Sequence, residues 1–534
     1  MPQFAGKYIL AADLGTSGPK CALVSTRGDI IADAFVKNDV QLYPDGGAEQ
    51  DPEQWWQSIL TAFKAILSKR LVPVDDIVAI CCSTQWSGTV AVDKDGHHLM
   101  NALIWLDSRG SRYIDAITDG LVKIEGYAVS KLQRWLRLTG GAPSHSGKDS
   151  IAHILYIKNQ HPDIYRRTYK FLEPKDYINL RLTGRFAASY DSITLHWVTD
   201  NRKIDNVRYD DRLIRISTLG REKLPALKQA VDVLGPLQKW VAKELGLSPA
   251  VKVIMGTPDV QAAAIGSGAV EDFAAHLYIG TSSWLTCHVP FKKTDIASGI
   301  ASLPSAIPGR YFVANEQETA GACLTFLRDN IFFPDDLLSA APAPNDFYQR
   351  LDKIAADVPA GSSGLIFLPW LYGERTPLDD RLIRGGFINL SLAASRAHML
   401  RAVLEGVAYN SRWLLQAVEK FVRQPLSPIR MIGGGAMSDV WCQIHADVFN
   451  RTIAQVHSPM LANVRGAAFL AAAGLGYMKF SEIADAVKIE REFQPNPENV
   501  TLYDHMFKEF RTAYKKTRKI CARLNKAKER FSAV

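Results

Sequence analysis

Disulfide scaffolding, membrane insertion and the common metal and hydrolase signatures are all missing from this chain. Its seven cysteines are odd in number and show no metal-like pairing. That fits a reducing, cytoplasmic setting better than a disulfide framework. Cys81 and Cys82 are adjacent in an apolar, strand-like run and read as buried thiols. No stretch approaches the roughly 18–20 apolar residues a membrane span requires. The first residues carry no basic segment followed by an apolar one, so no signal peptide is expected. The twelve histidines form neither HExxH nor a zinc-like Cys/His spacing. There is no GxSxG elbow, no GxGxxG in a dinucleotide-binding context and no low-complexity segment. "APAPND" at 341–346 is the one Pro/Ala-rich loop.

The net charge of +8 is local. Residues 508–534 hold ten Lys or Arg against two Glu, leaving 53 basic and 53 acidic residues elsewhere. In that tail Phe507, Phe510, Tyr514, Thr517, Cys521 and Leu524 recur at three- and four-residue steps, the seam of an amphipathic helix. A basic helix can touch nucleic acid or a membrane. A terminal helix packed on its own domain with a solvated cationic face explains the same pattern, and neither nucleic acid nor membrane is expected as a partner. A homodimer is left open.

At 534 residues and 47% hydrophobic the chain can bury several cores, because single cores stop growing near roughly 250–300 residues. The pattern predicts strands at 8–13, 20–25, 29–36, 77–83 and 88–93. Between them "DPEQWWQSILTAFKAILSK" is helical, with Asp51 as N-cap and Pro52 in the first turn. "KDGHHL" reads as a hairpin turn with His97 and His98 solvated. Residues 150–184 are helical in pattern, and "VKVIMGTPDVQAAAIGSGAV" is strand, turn and small-residue helix. The hairpin pattern then restarts at Leu277, followed by strands at 301–303 and 311–315, long helices at 393–422 and 439–449, and "ANVRGAAFLAAAGLG". The halves open alike, as in an internally duplicated two-lobe protein.

"YILAADLGTSGPKCALV" and "LYIGTSSWLTCHV" carry the duplication. In each, Gly-Thr-Ser joins two apolar strands. Glycine lets a tight turn form and a ligand approach, while backbone N–H groups and hydroxyls make an anion-sized concavity. A single glycine hairpin is commonplace. Two, each opening a half, suggest lobes that grip a polyphosphate. Neither ends in the Gly-Lys-Ser/Thr of a Walker loop. A third cluster, "MIGGGAMSDVWCQIHADVF", follows a strand at 429–432; its glycines would lie flat against a planar ring such as adenine, and Ser438 can cap the next helix.

Two aspartates complete the pattern. Asp13 ends the first strand before the first turn, where its carboxylate would face phosphates and hold Mg²⁺ through waters. Asp259 follows Pro258 where a helix begins; as an N-cap it would sit at the positive helix end, which keeps a carboxylate ionised. Phosphoryl transfer to a hydroxyl needs positioning, Mg²⁺ and one such carboxylate to accept the proton.

Taken together these segments resemble the FGGY carbohydrate kinase family, within the actin/hexokinase/Hsp70 superfamily. The resemblance runs from about Tyr8 to Met478 through "ADLGTSGPK", "IWLDSRG", "FLEPKDYINLRLTG", "GTPDVQAAAIGSG", "YIGTSSW", "FLPWLYGERTP", "GGGAMSDVWCQIHADVF" and "RGAAFLAAAGLG", in the family's order. It implies an α/β fold of two RNase H-like domains around a catalytic cleft. By this resemblance Asp13 organises the metal, Thr16 and Ser17 contact phosphate, and Gly280 and Thr281 form the second phosphate turn. Gly434, Gly435 and Ala436 match the adenosine segment, Asp259 the catalytic base and a second metal-side carboxylate. Gln85, Trp86 and Ser87 occupy the substrate loop, with Trp105 and Asp107 beside it.

The pattern nearest overall is that of xylulokinases, whose loop reads Gln-Met-His-Gly and whose catalytic Asp precedes Asn. Here Ser87 replaces that His and Val260 that Asn, while Trp86 offers a flat face to a sugar's C–H side. Glycerol kinase's Arg-Glu pair is absent from the loop. "FINL" has Asn389 at a usual glycine, where a local loop effect is expected. The expectation is a cytoplasmic kinase that uses ATP and Mg²⁺ on a ketopentose such as xylulose, or on another ketose, polyol or aldonate. Its expected parts are an N-terminal sugar lobe (1–265), a C-terminal ATP lobe (270–480) and a helical extension (481–534). The alternative of another class is an actin/Hsp70-like nucleotide switch that modifies no sugar.

Overall fold

The computed structural model describes residues 6–337 and 342–531. Ala341 of the "APAPND" loop and residues 532–534 of the tail lie outside them. In the N-terminal lobe the strands are β1 (Tyr8–Gly15), β2 (Gly18–Ser25), β3 (Ile30–Phe35), β4 (Ile77–Thr84), β5 (Val233–Pro236) and β6 (Lys252–Pro258). They form one sheet in the order β5-β6-β4-β1-β2-β3. The β1–β2–β3 meander is antiparallel, β4 and β6 run parallel to β1, and β5 returns antiparallel.

The second half repeats this plan. Its strands are β7 (Ala275–Ile279), β8 (Ser283–Val289), β9 (Thr294–Asp295), β10 (Ile300–Pro304), β11 (Tyr311–Ala314), β12 (Ile429–Ile432), β13 (Ile453–Val456) and β14 (Ile489–Phe493). Their order is β9-β10-β11-β8-β7-β12-β13-β14. Again a hairpin plus third antiparallel strand adjoins two parallel strands and an antiparallel edge. Two copies of one sheet topology, with helices on their faces, match the two RNase H-like domains expected from the duplicated opening.

Helix α1 (Pro52–Leu67) starts at Asp51, whose carboxylate accepts from the Glu53 N–H at 2.8 Å. It buries Trp55, Trp56, Ile59 and Phe63 against one face of the first sheet. The other face meets α2 (Ala462–Gly474) from the second half. That helix crosses α3 (Asp259–Gly266) so closely that a Cβ on Gly266 or Gly466 would strike the opposing backbone within 2 Å. The small-residue segments read from the sequence are therefore the interlobe seam.

Some expectations shift. Residues 150–184 are not continuously helical: Lys170–Leu172 is a buried strand paired with Val90–Val92, and that pairing outweighs local helical periodicity. Asp93 and His97 close the expected hairpin; His97 is exposed, but His98 is half-buried against the Tyr177 hydroxyl at 3.2 Å. Asn389 takes φ 66°, which Asn tolerates in place of glycine. Cys81 and Cys82 are buried and all seven cysteines are free thiols. The last helix, Pro497–Phe531, packs Tyr503, Phe507, Phe510 and Tyr514 into the C-terminal core. The seam then runs out, since Leu524 is 65% exposed. Among the described residues no helix is long and apolar enough to cross a membrane.

Candidate functional site

Both Gly-Thr-Ser segments form hairpin turns at the same edge of their sheets. In the first, Gly15 pairs with Gly18, and Thr16 and Ser17 make the loop. Gly18 has φ 133°, and a Cβ there would meet the Val36 carbonyl oxygen at 2.0 Å, so only glycine fits. In the second, Ile279 pairs with Ser283 around Gly280, Thr281 and Ser282. Its carbonyls anchor the next helix: the Ala320 and Gly321 N–H groups donate to Thr281 and Gly280 at 2.8 Å. Ser17 and Thr281 are exposed.

Thr16 departs from a simple phosphate contact. Its hydroxyl accepts from the Trp105 indole at 2.9 Å and donates to Gln85 at 3.1 Å. Gln85 in turn donates to Gln50 at 2.8 Å, and Gln50 to the Thr16 carbonyl at 2.8 Å. The Thr16 hydroxyl therefore ties the first turn to the substrate loop. Gln50, unrecognised in the sequence, closes that ring from just ahead of the Asp51 cap.

The loop itself is held rather than free. Ser87, at φ 64°, donates to the Lys148 carbonyl at 2.5 Å; the Trp86 indole donates to the Ser192 carbonyl at 3.1 Å. The Gly88 N–H donates to Glu173 at 3.1 Å. Burial drives the Glu173 carboxyl up to about 8. Asp107, expected beside the substrate loop, is engaged by protein partners. It is fully buried and accepts from the Ala48 N–H at 3.0 Å and from the Arg109 side chain at 2.6 and 2.9 Å. It stiffens the wall beneath Trp105.

Asp13 and Asp259 come together, as the reading required. Asp13 is 5% exposed and accepts from the Ser83 hydroxyl at 2.7 Å, with further hydrogen bonding from Asn463 on α2. Burial raises its carboxyl, against the pull of Lys20, Ser83 and Asn463. Asp259 is a correction twice over. Pro258 is the N-cap and Asp259 the first helical residue, its carboxylate accepting from the Val260 N–H at 2.8 Å. Nor does the helix end keep it readily ionised: burial first, then the neighbouring Asp13, push it well above the usual carboxylate range, against which Val260 offers one N–H. Tyr278 on β7, its ring stacked on Trp284 at 3.9 Å, feels both carboxylates, and its hydroxyl is raised by burial and by their charge.

The triple glycine makes the third wall. Gly433 sits at φ 85° against the Ile279 carbonyl oxygen, so this turn rests on the second hairpin. Gly434 is exposed, with only the Met460 sulfur within 4 Å of where a Cβ would stand. Gly435 and Ala436 are buried beneath it, and Ser438 caps the following helix by accepting from the Trp441 N–H at 3.0 Å. The bare backbone of Gly434 is the flat surface available to a ring.

Arg375, in the quoted "GERTP", also reaches the cleft. It donates to Glu316 and Glu318, and Glu316 is felt by Asp259. Its motif marked this loop in the sequence without a role. Lys148, in the polar run "HSGKDS", carried no signal.

Comparison with known proteins agrees with this geometry. Residues 8–266 match the model for the N-terminal domain of the FGGY family of carbohydrate kinases, and residues 275–475 that for its C-terminal domain. A xylulose kinase of Staphylococcus epidermidis is 29% identical over 530 residues, 97% of this chain and 98% of the relative. A gluconokinase of Bacillus subtilis is 26% identical over 446 residues, 84% of this chain and 83% of its own. A ligand-bound xylulose kinase structure from Lactobacillus acidophilus superposes with a TM-score of 0.83 at 25% identity, covering 96% of this chain and 98% of that one.

Proposed function

This chain belongs to the FGGY family of carbohydrate kinases and is an ATP-dependent sugar kinase, and from that premise we propose that it phosphorylates a hydroxyl of a small open-chain polyhydroxy compound with Asp259 as general base. The observation that supports this is the pairing of buried Asp13 with half-buried Asp259, which feels its charge, at a cleft bounded by both Gly-Thr-Ser turns. The residues fit a role for each part. Ser17 and Thr281 offer exposed donors to a triphosphate, Gly280 shapes the second turn, and Gly434, backed by Gly435 and Ala436, offers a bed for adenine. Thr16 joins the phosphate side to Gln85 and Trp105 on the acceptor side. Trp86 and Ser87 shape the acceptor pocket, and Asp107 positions its wall.

Mg²⁺ fits the same place. The Asp13 carboxylate raises the proton affinity of its neighbour Asp259, and a divalent cation between the two would relieve that charge. Among the described residues no cluster of three or more His, Cys, Asp or Glu could hold a metal, so Asp13 and Asp259 would share the ion with phosphates and water. When bound, it supplies charge neutralisation on the transferring phosphoryl group. Asp259 then accepts the acceptor's hydroxyl proton. A carboxylate raised above its usual range is the stronger base, provided it is ionised at the working pH. Closure of the lobes at the Gly266–Gly466 seam would exclude water that otherwise takes the phosphoryl group.

The relatives named xylulose kinase span nearly the whole chain, which favours a ketopentose such as xylulose. The gluconokinase relative, 26% identical over 84% of this chain, supports a second reading, an aldonate. A coupled ADP-release screen over pentuloses, hexuloses, polyols and aldonates tests both. Stimulation of ATP turnover by one acceptor is expected. Turnover that ignores every acceptor would sink the reading in favour of a nucleotide switch.

A further inference from the structure

Two cations on opposite lobes remain without an assigned task. Lys148 lies half-buried under the substrate loop, and its ammonium sits 5.4 Å from the centre of the Tyr372 ring on the other lobe. That ring contact is its only partner among the described residues; no carboxylate pairs with it. Arg375 spends two of its nitrogens on Glu316 and Glu318, but its remaining Nη2 is shielded from solvent with no acceptor among the described residues. The groups are neighbours: burial and Arg375 lower the Lys148 pKa, with Arg381 adding to this and Glu318 and Glu316 opposing it.

The neutral donors of the acceptor pocket are meanwhile committed. Ser87 serves the Lys148 carbonyl, Trp86 serves Ser192, Trp105 serves Thr16 and Gln85 serves Gln50. What is left over is cationic.

We propose that Lys148 and Arg375 form a two-lobe clamp for a carboxylate on the acceptor, making a sugar acid the preferred substrate class. This rests on the kinase reading above. A carboxylate offers lone pairs on two oxygens and can accept from both cations at once. The lysine supplies a point charge from the N-terminal lobe, the arginine a fixed planar donor from the C-terminal lobe. A bridging acid therefore ties the lobes together, and the cleft closes over it. A neutral ketose leaves both donors unpaired and is discriminated against for that reason.

The test measures ADP release by the full chain and its Lys148→Met and Lys148→Arg variants, with D-gluconate and D-xylonate set against D-xylulose and xylitol. The wild type should prefer an acid by about tenfold or more in kcat/KM. Lys148→Met should cut kcat/KM for the acids by about 30- to 100-fold, chiefly through KM, and hold the neutral acceptors within about threefold. Lys148→Arg should restore most of the loss. Preference for a neutral acceptor, or equal losses on both classes, overturns the clamp. Weaker ADP binding in Lys148→Met with acid preference intact means the cations serve the nucleotide phosphates, and the acceptor assignment falls. If ADP binds but no acceptor stimulates turnover, the kinase reading fails first and takes the clamp with it.

Discussion

Aligned on Gly-Thr-Ser, Asp13 of the first hairpin stands opposite Tyr278 of the second. The first turn is a two-residue loop whose Thr16 hydroxyl is committed to Trp105 and Gln85. The second is a three-residue loop whose Thr281 side chain is exposed and whose carbonyls are locked to residues 320–322. On the proposed reading one motif thus serves two ends of a reaction. The first turn carries the carboxylate and would connect to the acceptor; the second would offer the Thr281 donor without negative charge, as a polyanion requires. The hairpins share topology and differ in charge.

The strongest way to break that contrast is at the carboxylate it rests on. Asp259→Ala should lower kcat by about 10³-fold, within the range for a lost general base, and leave ADP affinity within about threefold by calorimetry. Near-normal turnover on the best acceptor would show that another group takes the proton. The next largest effect separates two adjacent glycines. Gly433→Ala forces a Cβ to 2.5 Å from the Ile279 carbonyl oxygen at φ 85°, and should destabilise the C-terminal lobe by roughly 2–3 kcal/mol in urea unfolding. Gly434→Ala meets only the Met460 sulfur at 3.9 Å, an ordinary contact, so it should unfold like the wild type and raise the ATP KM by about tenfold.

Paired threonine changes sharpen the comparison further. Thr16→Val should raise the acceptor KM by about tenfold with little change for ATP, because its hydroxyl organises Trp105 and Gln85. Thr281→Val should do the reverse, by about threefold, through the loss of one exposed donor. Equal shifts in both variants would erase the division of labour.

The smallest effect is on stability. Glu173 in the first lobe and Glu374 in the second are both held up to about 8 by burial, from an ordinary 4.5. The folded state binds these protons more tightly than the unfolded chain. Their contribution is therefore full below 4.5 and is lost as pH rises through about 8. Glu173→Gln and Glu374→Gln should each flatten the decline of the urea midpoint across that window. A decline unchanged by either variant would assign it elsewhere.

The elements set by short-range rules were legible. Asp51 and Ser438 cap their helices, the strand at 429–432 lies where expected, and both glycine hairpins form. The strand at Lys170–Leu172 was not, because its partner is Val90–Val92 and nothing local announces that pairing. In the site, Asp13 and Asp259 could be named from their places beside turns and helix starts. The inward turn of Asp107 could not, since it depends on Arg109 and on the Ala48 N–H.

By itself the sequence determined the duplicated hairpins, the small-residue helices of the seam and the residues gathered at the cleft, because turn chemistry and periodicity act over a few neighbouring positions. Only the tertiary structure decided what those residues are worth chemically. Asp259 owes its raised proton affinity to burial and to Asp13, Thr16 its engaged hydroxyl to Trp105, and Lys148 its cationic neighbour to Arg375 on the other lobe. Desolvation and Coulomb forces act through space, between groups that lie far apart along the chain.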